Sequence, residues 1–270
     1  MVREPSPLFD AHYHFSTREP AYQPGVVNST HQGMWPEALA SFQAGYAGVM
    51  VSLGIHPWFI NPVHLDRDLS ELEALLQAYP GLMVGETGLD RIRGPGQDIQ
   101  SRAFREQLVL ARDLNRVVSI HCVRAWGRLA EILEELRPGR AIIHSVQCSP
   151  ELVRRLSRTG AYLSFGYASA RPGTKAEAAL QACPEDRLLL ETDGPYPEGF
   201  LPPDGGGRTL PDPVSHGEAI EAWYTLGERL LASLRGAPRG APTWKERILR
   251  NAQIFTHGKT PGHPGTETPG

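Results

Sequence analysis

The sequence is poor in cysteine and in lysine. Its three cysteines, Cys122, Cys148 and Cys183, show no Cys-x-x-Cys spacing. This excludes a disulfide framework and a zinc ribbon, and we expect the three thiols to behave as small buried hydrophobic groups. Lysine provides only 3 of the 27 basic residues, and the formal net charge is −3. Proteins that grip nucleic acid through many phosphates carry a basic excess, so any anionic substrate has to be held locally.

Long apolar runs are also missing. No run approaches the roughly 18 to 20 residues of a membrane span, and the amino-terminal residues lack the apolar core of a signal peptide. We therefore predict a cytoplasmic protein without a membrane partner. The apolar fraction of 40% and the charged fraction of 21% are typical of globular chains, which excludes disorder for most of the sequence.

Short β-branched or apolar runs alternate with longer segments of helical period, a pattern typical of repeated βα units on a parallel sheet. The predicted strands are 7–10, 25–28, 48–53, 82–85, 117–121, 141–144, 161–165 and 188–191. Apolar stripes over 66–79 and 126–136 predict helices that cover the outside of the sheet. Eight such units in 270 residues predict an α/β fold, the (β/α)8 TIM barrel, which uses about 250 residues.

Proline and glycine mark the boundaries of the predicted barrel. We expect one barrel over 1–257, followed by a disordered Pro/Gly-rich tail over 258–270, and a monomeric chain. The stretch Gly194–Pro213 follows the last predicted strand, where a long loop is expected to form a rim or lid of the site. Capping boxes that begin at Ser215 and at Thr243 predict two helix starts.

Residue types that bind metal ions follow most of the predicted strands. In a (β/α)8 barrel the carboxyl ends of the strands meet at one mouth, so these side chains are expected to come together. His12 and His14 are two residues apart, the period of a strand, and therefore project to one side where both can bind one ion. The residues in question are Asp10, His12, His14, His56, Glu86, His121, His144, Glu191 and Asp193.

Each of these residues has a simpler explanation when it is taken alone. A lone histidine at a strand end is usually a hydrogen-bonded residue, Asp193-Gly194 can form a turn, and Glu86 can cap a helix. Five of the ten histidines nevertheless follow strands of the same predicted barrel, which favours one common metal site. The remaining histidines receive no role, with His31 as a spare candidate; they are His31, His64, His216, His257 and His263.

With these motifs the sequence resembles the TatD-type metal-dependent hydrolases, a branch of the amidohydrolase-like barrels often described as deoxyribonucleases. The resemblance extends from about Phe9 to Phe255. It rests on Asp-x-His-x-His at 10–14, Gly-Ile-His-Pro at 54–57, Gly-Glu-Thr-Gly-Leu-Asp at 85–90, Gln-x-x-x-Phe-x-x-Gln-Leu at 100–108, Ile-His at 120–121, His144, Glu-Thr-Asp at 191–193 and Asn-x-x-x-Phe at 251–255.

The resemblance implies a centre of two divalent metal ions, for which Zn, Mn and Mg remain open. The implied ligands are His12, His14 and Asp193 on one ion, His121 and His144 on the other, and Glu86 as a bridge between the two ions. Glu86 and Asp193 are the expected catalytic residues, with Asp193 able to accept a proton from the attacking water. Asp10 is either a support for the ligands or a structural carboxylate.

Three departures from the family pattern lie where substrate is expected to bind. Arg124 is displaced by one position from the His-x-Arg that the family has after the fifth strand, and the residues after His144 differ from the usual His-Cys-Phe-x-Gly. An Arg-Asn-x-Pro element is replaced by Gly207–Pro211. We expect His56, Arg124 and Arg208 to contact substrate. The resemblance thus implies hydrolysis more firmly than it implies DNA as the substrate.

Two divalent ions with four neutral imidazoles, two carboxylates and a hydroxide leave a charge of about +1 at the mouth, which suits a phosphodiester anion. The favoured function is hydrolysis of phosphodiester bonds at single-stranded nucleic-acid ends, or of a small phosphodiester or ester. A deacylase, amidohydrolase or lactonase that uses the same centre remains open, as does a metal-binding regulatory protein without turnover.

Overall fold

Eight parallel strands form one sheet in the order of the sequence. The computed structural model describes residues 7–15, 23–194 and 216–258. The strands are β1 Asp10–His14, β2 Gly25–Asn28, β3 Val49–Leu53, β4 Met83–Asp90, β5 Val118–Val123, β6 Ala141–Ile143, β7 Tyr162–Phe165 and β8 Leu188–Leu190. Each strand pairs with the next one in parallel register.

The residues that follow β8 close the sheet onto β1. The backbone N–H of Asp193 donates to the carbonyl of His12 at 2.9 Å, and the N–H of His14 donates to the carbonyl of Gly194 at 2.6 Å. Closure removes the two exposed edges that an open sheet would have. The predicted (β/α)8 TIM barrel is confirmed.

Helices surround the barrel and bury their apolar stripes against it. In α2, Leu65, Leu69, Leu72 and Leu76 are buried at helical spacing, as the sequence pattern predicts. The helices are α1 Trp35–Ala44, α2 Leu65–Ala78, α3 Gln97–Asp113, α4 Trp126–Leu136, α5 Pro150–Ser157, α6 Lys175–Ala182, α7 His216–Arg235 and α8 Trp244–His257, with short 3-10 helices at Gln32–Met34, Pro57–Phe59 and Tyr167–Ala170.

The sequence also makes predictions about the cysteines, the helix caps, the loops and the membrane. The three cysteines are free and buried, as expected. The Thr243 hydroxyl accepts from the N–H of Glu246 at 3.1 Å, the first bond of the predicted capping box at α8. Ser215, the loop after Gly194 and the tail after Gly258 lie outside the described residues. Within the described ranges, no helix is both long and apolar enough to cross a membrane.

Two predicted strand boundaries are wrong at the barrel mouth. The first strand is 10–14 rather than 7–10, and the fourth continues beyond Gly85 to Asp90. His12, His14 and Glu86 therefore lie within strands and not directly after them. The polar side chains in these segments conceal the strands because apolar runs indicate only the parts of a strand that face a dry core.

Glycines of the 85–90 motif allow β4 to change its pairing with β5. The register shifts between Val84 and Thr87, and the N–H of Glu86 donates to the carbonyl of Ser29 at 3.0 Å. Gly88 has a φ of 149°, and a Cβ atom there would overlap the carbonyl oxygen of His121. The close approach of the two backbones therefore requires glycine.

We expect Gly88→Ala to lower the free energy of unfolding by about 2 kcal/mol or more, since the methyl group meets backbone and alanine is strained at this φ. Gly127 in α4 is the matched control because a Cβ there meets nothing within 4 Å. Gly127→Ala should raise the free energy of unfolding by about 0.5 kcal/mol or more. Urea denaturation measures both changes, and equal stability of the two variants would contradict the close approach.

Candidate metal centre

One buried carboxylate, that of Glu86, lies among five imidazole rings at the barrel mouth. Glu86 is only 2% exposed. The rings belong to His12 and His14 of β1, His56 after β3, His121 of β5 and His144 after β6. The structure thus brings together side chains from five positions along the barrel, as the strand-end pattern predicts.

The two oxygens of Glu86 face different pairs of histidines. Glu86 Oε1 lies 3.0 Å from His121 Nδ1 and 2.9 Å from His144 Nε2. Glu86 Oε2 lies 3.5 Å from His12 Nε2 and 3.6 Å from His14 Nε2. A carboxylate in this position separates the imidazoles into two groups, and each group meets one of its oxygens.

Asp193 lies next to the first group, on the side open to solvent. Its Oδ1 is 3.4 Å from His14 Nε2 and 3.8 Å from His12 Nε2, and its side chain is 42% exposed. The left-handed φ of 57° and the backbone bond to His12 hold Asp193 at this point. The first group therefore contains two imidazoles and two carboxylates.

The donor atoms of these residues have the spacing of metal ligands. Atoms that share one ion at about 2.1 Å stand roughly 3.0 to 3.4 Å apart in octahedral or tetrahedral geometry. Three sets of donors lie within 4.8 Å of one another: His12, His144 and Asp193; His12, His14 and Glu86; and His56, Glu86 and His121. Imidazole nitrogen and carboxylate oxygen are also the donors that Zn²⁺ and Mn²⁺ accept, so the residues present fit divalent ions.

Hydrogen bonds on the far side of two rings fix which nitrogen faces the cluster. His14 Nδ1 lies 3.2 Å from the carbonyl oxygen of Asn28, so its N–H donates there and Nε2 is the nitrogen that can bind an ion after it loses its proton. His121 Nε2 lies 3.3 Å from Asp90 Oδ2, which leaves Nδ1 toward Glu86 as the nitrogen that can bind an ion. Such outer acceptors set the tautomer of metal-binding histidines.

His56 has the opposite arrangement. Its Nδ1 accepts from the backbone N–H of Trp58 at 3.2 Å, so the proton of the neutral ring is on Nε2. Nε2 donates this proton toward Glu86 Oε1 at 3.3 Å. In this tautomer His56 has no lone pair for an ion, and it remains our predicted substrate contact.

Asp90 was not assigned a role from the sequence, yet it supports the cluster directly. Asp90 Oδ2 accepts from the indole N–H of Trp58 at 2.5 Å and faces His121, while Oδ1 accepts from the backbone N–H groups of Ile92 and Arg93. The sequence does contain a signal for this role. Asp90 is four residues after Glu86 in β4, and the alternation of side chains along a strand places both on one face.

Asp10 has a structural position. Its Oδ1 accepts from the N–H of Thr192 at 2.9 Å, and its Oδ2 accepts from the Thr192 hydroxyl at 2.6 Å and pairs with His216 Nε2 at 2.7 Å. Asp10 thus joins β1, the end of β8 and α7, which favours the structural alternative for this residue. His216, which receives no role from the sequence, begins α7, and no local pattern indicates a partner 206 positions away.

The two predicted substrate contacts that are arginines have no described contact with the cluster or lie outside the described residues. Arg124 is exposed on the loop after β5, with a φ of 54°, and it makes no described contact with the histidines. Arg208 lies outside the described residues. Both roles stay predictions.

The electrostatics of the cluster favour a protonated imidazole beside the carboxylates. Burial opposes charge on Glu86, but the surrounding histidines hold its pKa well below the usual value. Burial and the neighbouring His144 lower the pKa of His12 to about 4. For His14 burial acts in the same direction, yet the hydrogen bond to Asp193 and the charges of Glu86 and Asp193 raise its pKa to about 9.

Comparisons with known proteins show the family of the chain. The profile of the family described as TatD related DNase matches residues 9–218. The 3'-5' ssDNA/RNA exonuclease TatD of Cronobacter sakazakii is 33% identical over 235 residues, which are 83% of this chain and 84% of that protein. The metal-dependent hydrolase YabD of Bacillus subtilis is 31% identical over 157 residues, 56% of this chain and 60% of that protein.

Two solved structures share the fold. YjjV, a TatD homologue from Escherichia coli K12, has a TM-score of 0.72 at 23% identity and covers 94% of this chain and 98% of its own. A TatD family hydrolase from Entamoeba histolytica has a TM-score of 0.72 at 14% identity and covers 95% and 100%. At these identities the likeness concerns the barrel alone.

The profile and the relatives define a metal-dependent hydrolase that acts on ester bonds. The chain belongs to the TatD-related DNase family.

We expect a divalent ion to displace at least one proton from the metal-free protein at pH 7.5. Below its pKa of about 9 His14 is protonated, and it has to lose that proton before Nε2 can bind an ion. Metal affinity should therefore rise with pH up to about 9 and then level off. Calorimetric titrations with Zn²⁺ or Mn²⁺ in buffers of different ionisation enthalpy count the protons, and no release would contradict the predicted role of His14.

We expect Asp90→Asn to weaken binding of the ion near His121 by about 10- to 100-fold, because both carboxylate oxygens accept hydrogen bonds and the amide replaces one of them with an NH2 donor, which leaves either His121 or the loop N–H groups without an acceptor. Asp68→Asn is the matched control, since Asp68 is also a buried carboxylate but pairs with Arg67 on α2. Competition with a chelator measures the affinity of each variant. Equal affinities in both variants would show that His121 does not depend on Asp90.

Proposed function

We propose that the chain hydrolyses phosphodiester bonds at the 3' end of single-stranded nucleic acid by means of two divalent metal ions. The observation that carries the proposal is the position of Glu86, with one oxygen toward each pair of histidines. We assign His12, His14 and Asp193 to one ion and His121 and His144 to the other, with Glu86 as the bridge. Histidine-rich ligands favour Zn or Mn over Mg.

The chain's own groups have distinct tasks in this proposal. When bound, the two ions supply Lewis acidity toward water and toward the phosphodiester. We assign Asp193 as the acceptor of the water's proton: although burial opposes its charge, the hydrogen bond to His14 and the nearby histidines lower its pKa to about 2, so the carboxylate is ionised at neutral pH, and its side chain reaches solvent, to which it can release the proton. His56 can donate its Nε2 proton to a phosphate oxygen, because the ring already carries it there.

The shape and the charge of the chain support a strand end as substrate. A barrel mouth is concave, and it admits a flexible end more easily than the middle of a stiff duplex. With a net charge of −3 the chain neutralises few phosphates beyond the one at the cluster. The relative from Cronobacter sakazakii is named a 3'-5' ssDNA/RNA exonuclease, which supports the same direction of attack here.

A linear single strand, a closed duplex circle and two kinds of carboxylic ester together test the proposal. The metal-loaded enzyme should shorten a 5'-labelled single strand stepwise from its 3' end and leave a covalently closed duplex circle intact. The same assay includes aminoacyl esters and lactones, which represent the deacylase and lactonase alternative. Turnover of these esters without any cleavage of oligonucleotides would overturn the proposal, and so would efficient cutting of the circle.

We expect Glu86→Gln to lower kcat/KM on the oligonucleotide by more than 100-fold and to reduce the bound metal, because the neutral amide is a poor bridge between two cations. Glu71→Gln, on the exposed side of α2, is the control for loss of one negative charge and should match the wild type. Elemental analysis gives the metal content. A Glu86→Gln enzyme that retains two ions and most of its activity would contradict the bridging role.

A further inference from the structure

Exposed large apolar side chains gather on two neighbouring loops. Among the described residues they are Trp58 at 37%, Phe59 at 41%, Val63 at 85% and Ile92 at 63%. The first three follow β3 and the fourth follows β4, so all four lie on loops at the same end of the barrel as Glu86. Apolar groups in contact with water near a candidate active site indicate a surface that a ligand covers.

The two aromatic rings on these loops contact the histidines of the site. The ring centroid of Trp58 lies 4.9 Å from that of His56 and 5.8 Å from that of His121. The ring of Phe59 lies 6.0 Å from His56 and 4.9 Å from His31. A ligand that stacks on either ring would therefore be adjacent to a phosphate held at the cluster.

Trp58 is held in place before any ligand arrives. Its indole N–H donates to Asp90 and its backbone N–H donates to His56, and the guanidinium carbon of Arg93 lies 4.1 Å from its ring centroid. The loop that carries Arg93 is fixed as well, because the side-chain amide of Gln100 donates to the carbonyls of Asp90, Arg93 and Pro95. A pre-ordered surface loses little entropy on binding.

The charge beside the rings suits a nucleotide. Arg91 and Arg93 are both exposed on the loop after β4, and neither takes part in an ion pair among the described residues. Arginines elsewhere on the surface pair with carboxylates, as Arg105 does with Glu135. A planar guanidinium over an aromatic ring is a surface on which nucleobases stack, and its charge complements a nearby phosphate.

The exposed large apolar side chains of the described residues are four, and two of them carry aromatic rings. A flat ligand of the size of one base suits two rings that lie beside a guanidinium. We name Trp58, Phe59 and Arg93 the rim platform.

We propose that the rim platform stacks the nucleobase next to the phosphodiester bond that is hydrolysed. The identity of this ligand rests on the proposed function. A base in a single strand separates easily from its neighbours and can then offer its face to the platform, whereas a base in a duplex is held by pairing and stacking, so the platform also favours unpaired ends. Stacking on an aromatic ring depends little on which base is present, and we expect all four bases to be accepted.

Two ligands that differ only in the base test this proposal. Deoxyadenosine 5'-monophosphate and 2-deoxyribose 5-phosphate share the sugar and the phosphate, and calorimetry gives the Kd of each for the metal-loaded protein. The wild type should bind the nucleotide about tenfold more tightly or better. Trp58→Ala should remove most of this preference, measured as the ratio of the two Kd values, because the loss of the indole bond to Asp90 affects both ligands alike whereas the loss of the ring affects only the nucleotide. The control Val63→Ala, which alters an exposed apolar residue of the same loop, should keep the preference.

Further variants keep the test independent of folding. Trp58→Phe retains an aromatic face and should retain much of the preference, and Phe59→Ala should reduce it. Equal Kd values for the two ligands in the wild type would overturn the platform, and so would an equal loss for both ligands in Trp58→Ala. If the enzyme cleaves oligonucleotides but binds the two ligands equally well, the rim platform is wrong and the exonuclease function stands. If the enzyme prefers the nucleotide but does not cleave oligonucleotides, the rim platform is supported and the exonuclease function is wrong.

Discussion

The buried negative charge of Glu86 is the constraint on which the barrel mouth depends. An ionised carboxylate removed from water is costly unless charges and hydrogen-bond donors surround it. The imidazoles of His12, His14, His121 and His144 surround both of its oxygens, and they come from strands that are far apart in sequence. The shifted register of β4 that brings Glu86 there is part of the same arrangement, because it depends on glycines where the β4 and β5 backbones meet. The mouth is therefore polar because the charge of Glu86 requires polar neighbours, while the strands below it are buried on both faces.

A second layer of acceptors decides what the imidazoles can do. The Asn28 carbonyl and the Asp90 carboxylate accept hydrogen bonds from His14 and His121, so the inner nitrogens of these rings can become ligands when an ion displaces their protons. The Trp58 backbone N–H donates to Nδ1 of His56, so a neutral His56 keeps its proton on the inner nitrogen and has no lone pair there. The histidines of the mouth are chemically identical, yet some are candidate metal ligands and His56 is a hydrogen-bond donor. The division comes from the backbone and the neighbouring loops, which explains why ligand types alone do not separate His56 from the others.

The sequence predicts the barrel well because its strands are apolar runs and its helices carry regular stripes, as in α2. It fails at the ends of β1 and β4, where strands continue through polar residues that line the mouth. The candidate site residues are predictable because the ends of parallel strands converge, and the same argument predicts a position for Asp90 at the mouth. The position of His216 is not predictable from the sequence, since its contact with Asp10 depends on how α7 packs against the barrel. The tautomer of His56 and the exposure of Trp58 also require coordinates, because loop conformation sets both.

The closure of the barrel has a topological consequence. The hydrogen bonds that join the first strand to the end of the last one involve His12, His14 and Asp193, the same residues that form the first donor group. An ion held by this group is a cross-link across about 180 residues of chain, and a cross-link over so long a loop removes much of the conformational freedom of the open form. A bound ion would therefore oppose separation of the first strand from the last, and a chelator that removes the ion would make the barrel easier to open.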